Sequence, residues 1–95
     1  MTRKAADADD DTRHEQQTDL EKLAAELRPH GCKTILTASE NRLPYLDVFN
    51  PQAPLLSGRI YASADNFWWS HAEPIASRDN IPAAARAITR TLATR

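Results

Sequence analysis

The run Phe67-Trp68-Trp69-Ser70 constrains the fold more than any other stretch of this chain. Its aromatic composition is that of a strand, as is the preceding run Ile60 to Ser63. Between them stand Ala64-Asp65-Asn66, residues suited to a tight turn. The spacing predicts a β-hairpin within Arg59 to Ala76. Glu73-Pro74 is expected to end its second strand, because proline brings no N–H to a ladder and keeps its predecessor extended. Consecutive side chains of a strand point to opposite faces of the sheet. Trp68 and Trp69 therefore cannot enter the same core, and the sheet must carry an indole on each face.

The rest of the chain supplies what covers such a sheet. Thr18-Asp-Leu-Glu21 is a capping-box pattern, and Leu20, Leu23, Ala24 and Leu27 follow at helical spacing. A helix is expected at about 18–28, stopped by Pro29 and Gly31. Its start could lie a turn earlier, since 12–17 contains no helix breaker. Lys33 to Ala38 reads as a first strand, Ser39 to Arg42 as a hairpin turn, and Pro44 to Asn50 as a second strand. Two prolines in Asn50-Pro51-Gln52-Ala53-Pro54 predict an irregular connection, with Leu55 and Leu56 folded back over an edge of the core. After the hairpin, Ser77 to Asn80 is expected to be a polar link. Asp79 or Asn80 caps a last helix that tolerates Pro82 in its first turn. Ile81, Ala84, Ala85, Ile88 and Leu92 form the apolar stripe of that helix.

This order predicts a two-layer α+β domain over 18–95. Its sheet is four-stranded and mainly antiparallel, with the N- and C-terminal helices on one face. Residues 1–17 read as a disordered acidic tail. The first nineteen residues hold six acids and three bases but Met1 as their one large apolar side chain. The domain that remains is small enough for a partner or a second copy to add usefully to its stability.

Charge and cysteine content bound the function classes. The net charge of −1 gives no bulk attraction to nucleic acid or membrane. Cys32 is the single cysteine, which excludes an intramolecular disulfide and fits a reducing cytoplasm. No apolar run is long enough to span a bilayer, and Arg3 and Lys4 lead into acids, not a signal-peptide core.

Catalytic and metal signatures are incomplete. His71-Ala-Glu73 matches the first half of a zinc-deaminase signature, but the Pro-Cys-x-x-Cys that should follow is missing. His30, Cys32 and His71 lack paired ligand spacing. No base is marked to activate Cys32, and Asp47 and Glu73 are not a recognisable acid–base pair. Gly31 and Gly58 are too few for a phosphate-cradling loop. The reading is therefore non-enzymatic, with no cofactor and no metal. Arg86 and Arg90 lie four apart on the last helix with Arg78 and Arg95 flanking, a stripe that could contact phosphates or simply face solvent. Without helix-turn-helix spacing, nucleic-acid binding ranks third among the functions considered.

The aromatic residues carry the main functional reading. All six fall between Tyr45 and Trp69. If the helices cover the face of Leu36, Leu46, Val48, Ile60 and Ala62, parity puts Tyr45, Phe49, Arg59 and Tyr61 on the other face, with Asp47 among them. In the last strand either Phe67 and Trp69 point inward or Trp68 does. The first choice is favoured, because two rings better fill a core closed by an alanine-rich helix. Trp68 then joins Tyr45, Phe49, Arg59 and Tyr61 as a protein-binding surface, rich in the residue types of binding hot spots. The partner would be a second copy or another protein, in a homodimer or as an adaptor in a regulatory complex. The alternatives are that this second face is also core, under the 50–58 loop or the tail, or that the loop and the aromatic face form a small-ligand pocket.

Asn50-Pro-Gln-Ala-Pro-Leu-Leu-Ser57, Tyr61-Ala62 and Phe67-Trp-Trp-Ser-His-Ala-Glu-Pro-Ile75 with a closing Ala/Ile/Leu helix resemble a family of small uncharacterised actinomycete proteins. These carry an Asn-Pro loop and a Phe-Trp-Trp-Ser strand, and the resemblance spans about Leu20 to Leu92. Another aromatic often stands there in place of His71. The resemblance implies an actinomycete origin, a cytoplasmic location and an accessory regulatory role; it implies no activity.

Overall fold

The computed structural model describes the backbone of residues 2–39 and 42–92, and the side chains in that range except at 2–11, 42, 54 and 55. Helix α1 (Thr2–Leu27) and a single 3-10 turn (Arg28–His30) lead into five strands, β1 (Lys33–Ser39), β2 (Arg42–Asn50), β3 (Ala53–Ser63), β4 (Asn66–Trp69) and β5 (Pro74–Ser77). Helix α2 (Ile81–Leu92) follows. The strands form one antiparallel sheet in sequence order. Both helices lie on the same face, α1 against β1 to β3 and α2 against β5 and α1. The α+β architecture is as expected, with one strand more.

The core is the apolar side of every element. Leu20, Leu23, Ala24 and Leu27 of α1 meet Leu46, Val48, Ile60, Ala62 and Phe67 of the sheet and Ala84, Ala85, Ile88 and Leu92 of α2. Asn80 caps α2: its Oδ1 accepts from the Ala83 N–H at 3.2 Å, and its carbonyl accepts from Ala84. At the other end of α2, the Asn50 side-chain amide donates to the Leu92 carbonyl at 2.9 Å. Asn50 Oδ1 meanwhile accepts from the Gln52 N–H. One asparagine thus shapes the β2–β3 turn and satisfies a carbonyl that α2 cannot pair within itself.

Four expectations need correction. First, the helix expected at about 18–28 begins at Thr2, so the expected tail belongs to α1 apart from Met1, which lies outside the described residues. Gln16 is only 5% exposed and extends the stripe Leu20-Leu23-Ala24-Leu27 by one turn. Low average hydrophobicity hid a stretch that contains alanines and no breaker. Second, the expected irregular connection after Asn50 is short. Only Pro51 and Gln52 separate β2 from β3. A register shift between Phe49↔Ser57 and Asn50↔Ala53 lets β3 accommodate Pro54 inside a bulge. Third, Pro74 does not close the sheet but opens a fifth strand. It stands at the first position of an edge strand, where a missing N–H is tolerated. Fourth, Ser77 is the last residue of that strand and not part of the link to α2. The turn expected at Ser39 to Arg42 falls partly outside the described residues, although Ser39 and Arg42 are paired across it.

Arg78 ties the layers together. Its Nε donates to Asp19 Oδ2 at 2.8 Å, its Nη1 to the Ala64 carbonyl at 2.8 Å, and its backbone N–H to the Asp65 carbonyl. One side chain joins α1, the β3–β4 turn and the start of α2. Among the described residues no helix is long and apolar enough to cross a membrane.

A candidate protein-interaction face

The register of the ladders places the second face of the sheet residue by residue. Ile35, Asp47 and Arg59 lie side by side across β1, β2 and β3. Ser70 continues this row, with its N–H on the Arg59 carbonyl. Thr37 pairs with Tyr45 and Tyr61 with Trp68, and the two tyrosine rings, 6.0 Å apart and tilted by 59°, join these pairs into a second row. Lys33, Phe49 and Ser57 form a third. All five residues expected on this surface, Tyr45, Phe49, Arg59, Tyr61 and Trp68, stand on it together.

Phe67 is fully buried and Trp69 packs on the core, so the inward pair is Phe67 with Trp69. Trp68 points the other way, half-buried, with its indole N–H donated to the Ser63 carbonyl at 3.0 Å. Its polar atom is satisfied at the edge of the face while the ring remains available.

The centre of the face is a charge pair that rests on an aromatic ring. Arg59 Nε donates to Asp47 Oδ1 at 2.9 Å, and the guanidinium carbon stands 4.0 Å above the Tyr45 ring centroid. The hydrogen bond to Asp47 holds the Arg59 guanidinium above its ordinary pKa. Both side chains remain open to solvent, so this pair adds little to folding. What it does is neutralise the middle of a surface that holds four aromatic rings. Ile35 is 56% exposed and Leu43 49%, the exposed large hydrophobic side chains among the described residues. Sequence reasoning missed both, although Ile35 was legible as the residue opposite Leu36 in β1.

The face is open to solvent, with a depression lined by Ile35, Asp47, Phe49, Ser57, Arg59 and Tyr61. The 50–58 segment that was to roof a ligand site lies in the sheet instead, with Ser57 and Gly58 paired to Phe49 and Val48. A separate depression on the helix side runs between Trp69, Ile75 and the last turns of α2, rimmed by Ser57, Ser70, His71 and Glu73. His71 Nε2 and Glu73 Oε1 stand 2.9 Å apart there, both well exposed. Among the described residues, His, Cys, Asp and Glu form no group of three able to hold a metal ion. Cys32 is half-buried against the core. Of the basic stripe, Arg86 and Arg90 are exposed on α2, Arg78 is engaged with Asp19, and Arg95 lies outside the described residues. Comparison with known protein families, with curated proteins and with solved structures finds no match to this chain.

Proposed function

We propose that this chain is a non-enzymatic protein-interaction module whose binding surface is the open sheet face around Tyr45, Phe49, Arg59, Tyr61 and Trp68. It acts as a homodimer or as an adaptor in a regulatory complex of the cytoplasm. The observation that carries this reading is the uncovered row Tyr45–Tyr61–Trp68, flanked by exposed Ile35 and by a charge pair that needs no outside counter-ion. Aromatic residues and arginine with few free charges are the composition of interface centres.

The test places a photo-reactive phenylalanine analogue at Ile35 and, in a control chain, at Arg86 on α2. Illumination in the producing cell is expected to yield a protein adduct at position 35 that position 86 lacks and that Trp68→Ala abolishes. Equal adducts at both positions, or none at position 35, would overturn the reading.

A further inference from the structure

The three rows of the open face carry a symmetry that their sequence does not display. A line drawn along the strands between β2 and β3 divides each row into two halves. Opposite halves are complements. In the central row Asp47 mirrors Arg59, and Ile35 mirrors Ser70. In the aromatic row Tyr45 mirrors Tyr61, and Thr37 mirrors Trp68. In the third row Phe49 mirrors Ser57, and Lys33 at the β1 end has no β4 residue as its mirror. Acid stands against base, large against small, and ring against ring. A two-fold axis along that line, midway between two stacked sheets, lays each of these pairs over its mirror position in the other copy.

We infer that the occupant of this face is a second copy of the chain, packed sheet on sheet about an axis parallel to β2 and β3. The inference rests on the reading of the face as a protein-binding surface and names its partner. Each Asp47 lies over the other copy's Arg59, and each Trp68 ring fills the space above the other copy's Thr37. Ile35 drops over Ser70 and Phe49 over Ser57. An isologous contact requires such self-complementarity, and sheets that pack face to face keep their strands within about 30° of each other. A partner of single-sign charge would meet no complement here, since Asp47 and Arg59 sit side by side at the centre.

Four strands and three rows cover about 400 Å² in projection. That is below the ~800 Å² per partner of a standard interface, so the dimer is a weak one. The full chain is therefore followed by sedimentation equilibrium from micromolar to several hundred micromolar. Four samples are compared: wild type, Arg59→Asp, Asp47→Arg and an equimolar mixture of the two variants.

Wild type is expected to dimerise within that range. Either charge reversal sets like charges over each other and weakens association by about 100-fold. An equimolar mixture of the two variants presents an all-acidic centre to an all-basic one and is expected to recover a heterodimer. Recovery also shows that both variants are folded. Wild type that stays monomeric overturns the inference, as does a wild-type dimer that both reversals leave intact, or a mixture that fails to associate. If wild type is monomeric while the probe at Ile35 still captures a different protein, the second copy is excluded and the binding face stands. If it captures nothing, both readings fall.

Discussion

The two faces of this sheet are built from the same strands and alternate residues, yet they meet different fates. One receives Leu46, Val48, Ile60, Ala62 and Phe67, each at most 2% exposed, under α1 and α2. The other receives Tyr45, Asp47, Phe49, Arg59, Tyr61 and Trp68, and no described helix reaches it. The closed face is mainly apolar, with Thr34 beside Val48 and Asn50 bonded to the Leu92 carbonyl of α2. The open face pairs Asp47 with Arg59, stacks Arg59 on Tyr45 and tethers the Trp68 N–H to Ser63. Both faces are rich in apolar surface, but the open one carries an ion pair at its centre that stays in reach of water. That difference separates a core from a surface built to be covered from outside.

The sharpest way to break the comparison is to truncate one ring on each face. Phe67→Ala removes the largest fully buried side chain and leaves a cavity between the sheet and both helices. Its expected cost is about 3–5 kcal/mol in urea denaturation, enough to leave so small a domain largely unfolded. Tyr45→Ala removes a half-buried ring and the platform under Arg59, and is expected to cost less than ~1.5 kcal/mol at low protein concentration. Equal losses would mean that the second face is core after all.

Gly58 tests how the inward indole is seated. A Cβ built on Gly58 would overlap Trp69 Cζ3 and stand 2.8 Å from Cε3, because the Trp69 ring lies across the backbone of β3 there. Gly58→Ala must push the indole outward, toward the depression between Trp69, Ile75 and α2. The expected loss is about 1–3 kcal/mol, with a red shift in tryptophan emission. The same substitution in a Trp68→Phe background assigns the shift to Trp69. An unshifted spectrum would mean that the ring does not lie over β3.

Much of this arrangement was legible in the residues. Alternation assigned both faces of β2 and β3, and the bulk needed under an alanine-rich helix favoured Trp69 as the inward indole, which its packing on the core bears out. Asn80 and the stripe of α2 announced that helix. The prolines misled, because a rule about sheet interiors was applied to an edge and a bulge: Pro74 begins an outermost strand, and Pro54 sits where the β2–β3 register slips. Arg78 read as part of a basic stripe, since nothing in its neighbourhood announces Asp19, from a helix at the other end of the chain. The rows of the open face were partly legible. Parity named their members, but mirror positions such as Ile35 and Ser70 depend on ladder register, which forms only when the strands pair.

The smallest expected effect concerns the turn between β3 and β4. Ser63 pairs with Asn66, so Ala64 and Asp65 alone connect β3 to β4, and Ala64 adopts φ +52°. A left-handed backbone costs an L-residue with a Cβ roughly 1–2 kcal/mol, which glycine escapes. The Ala64 carbonyl is held by Arg78 and the Asp65 carbonyl by the Arg78 N–H, so the surroundings keep this turn in place. Ala64→Gly is expected to retain the register and raise stability by about 0.5–1 kcal/mol, reduced from the full strain because glycine gains freedom in the unfolded chain. Because the burial of Phe67 holds β4 in its register, the quenching of Trp68 by iodide should stay unchanged while the urea midpoint rises. A raised midpoint with altered quenching would show that the turn, and not the packing of Phe67, decides which indole faces out.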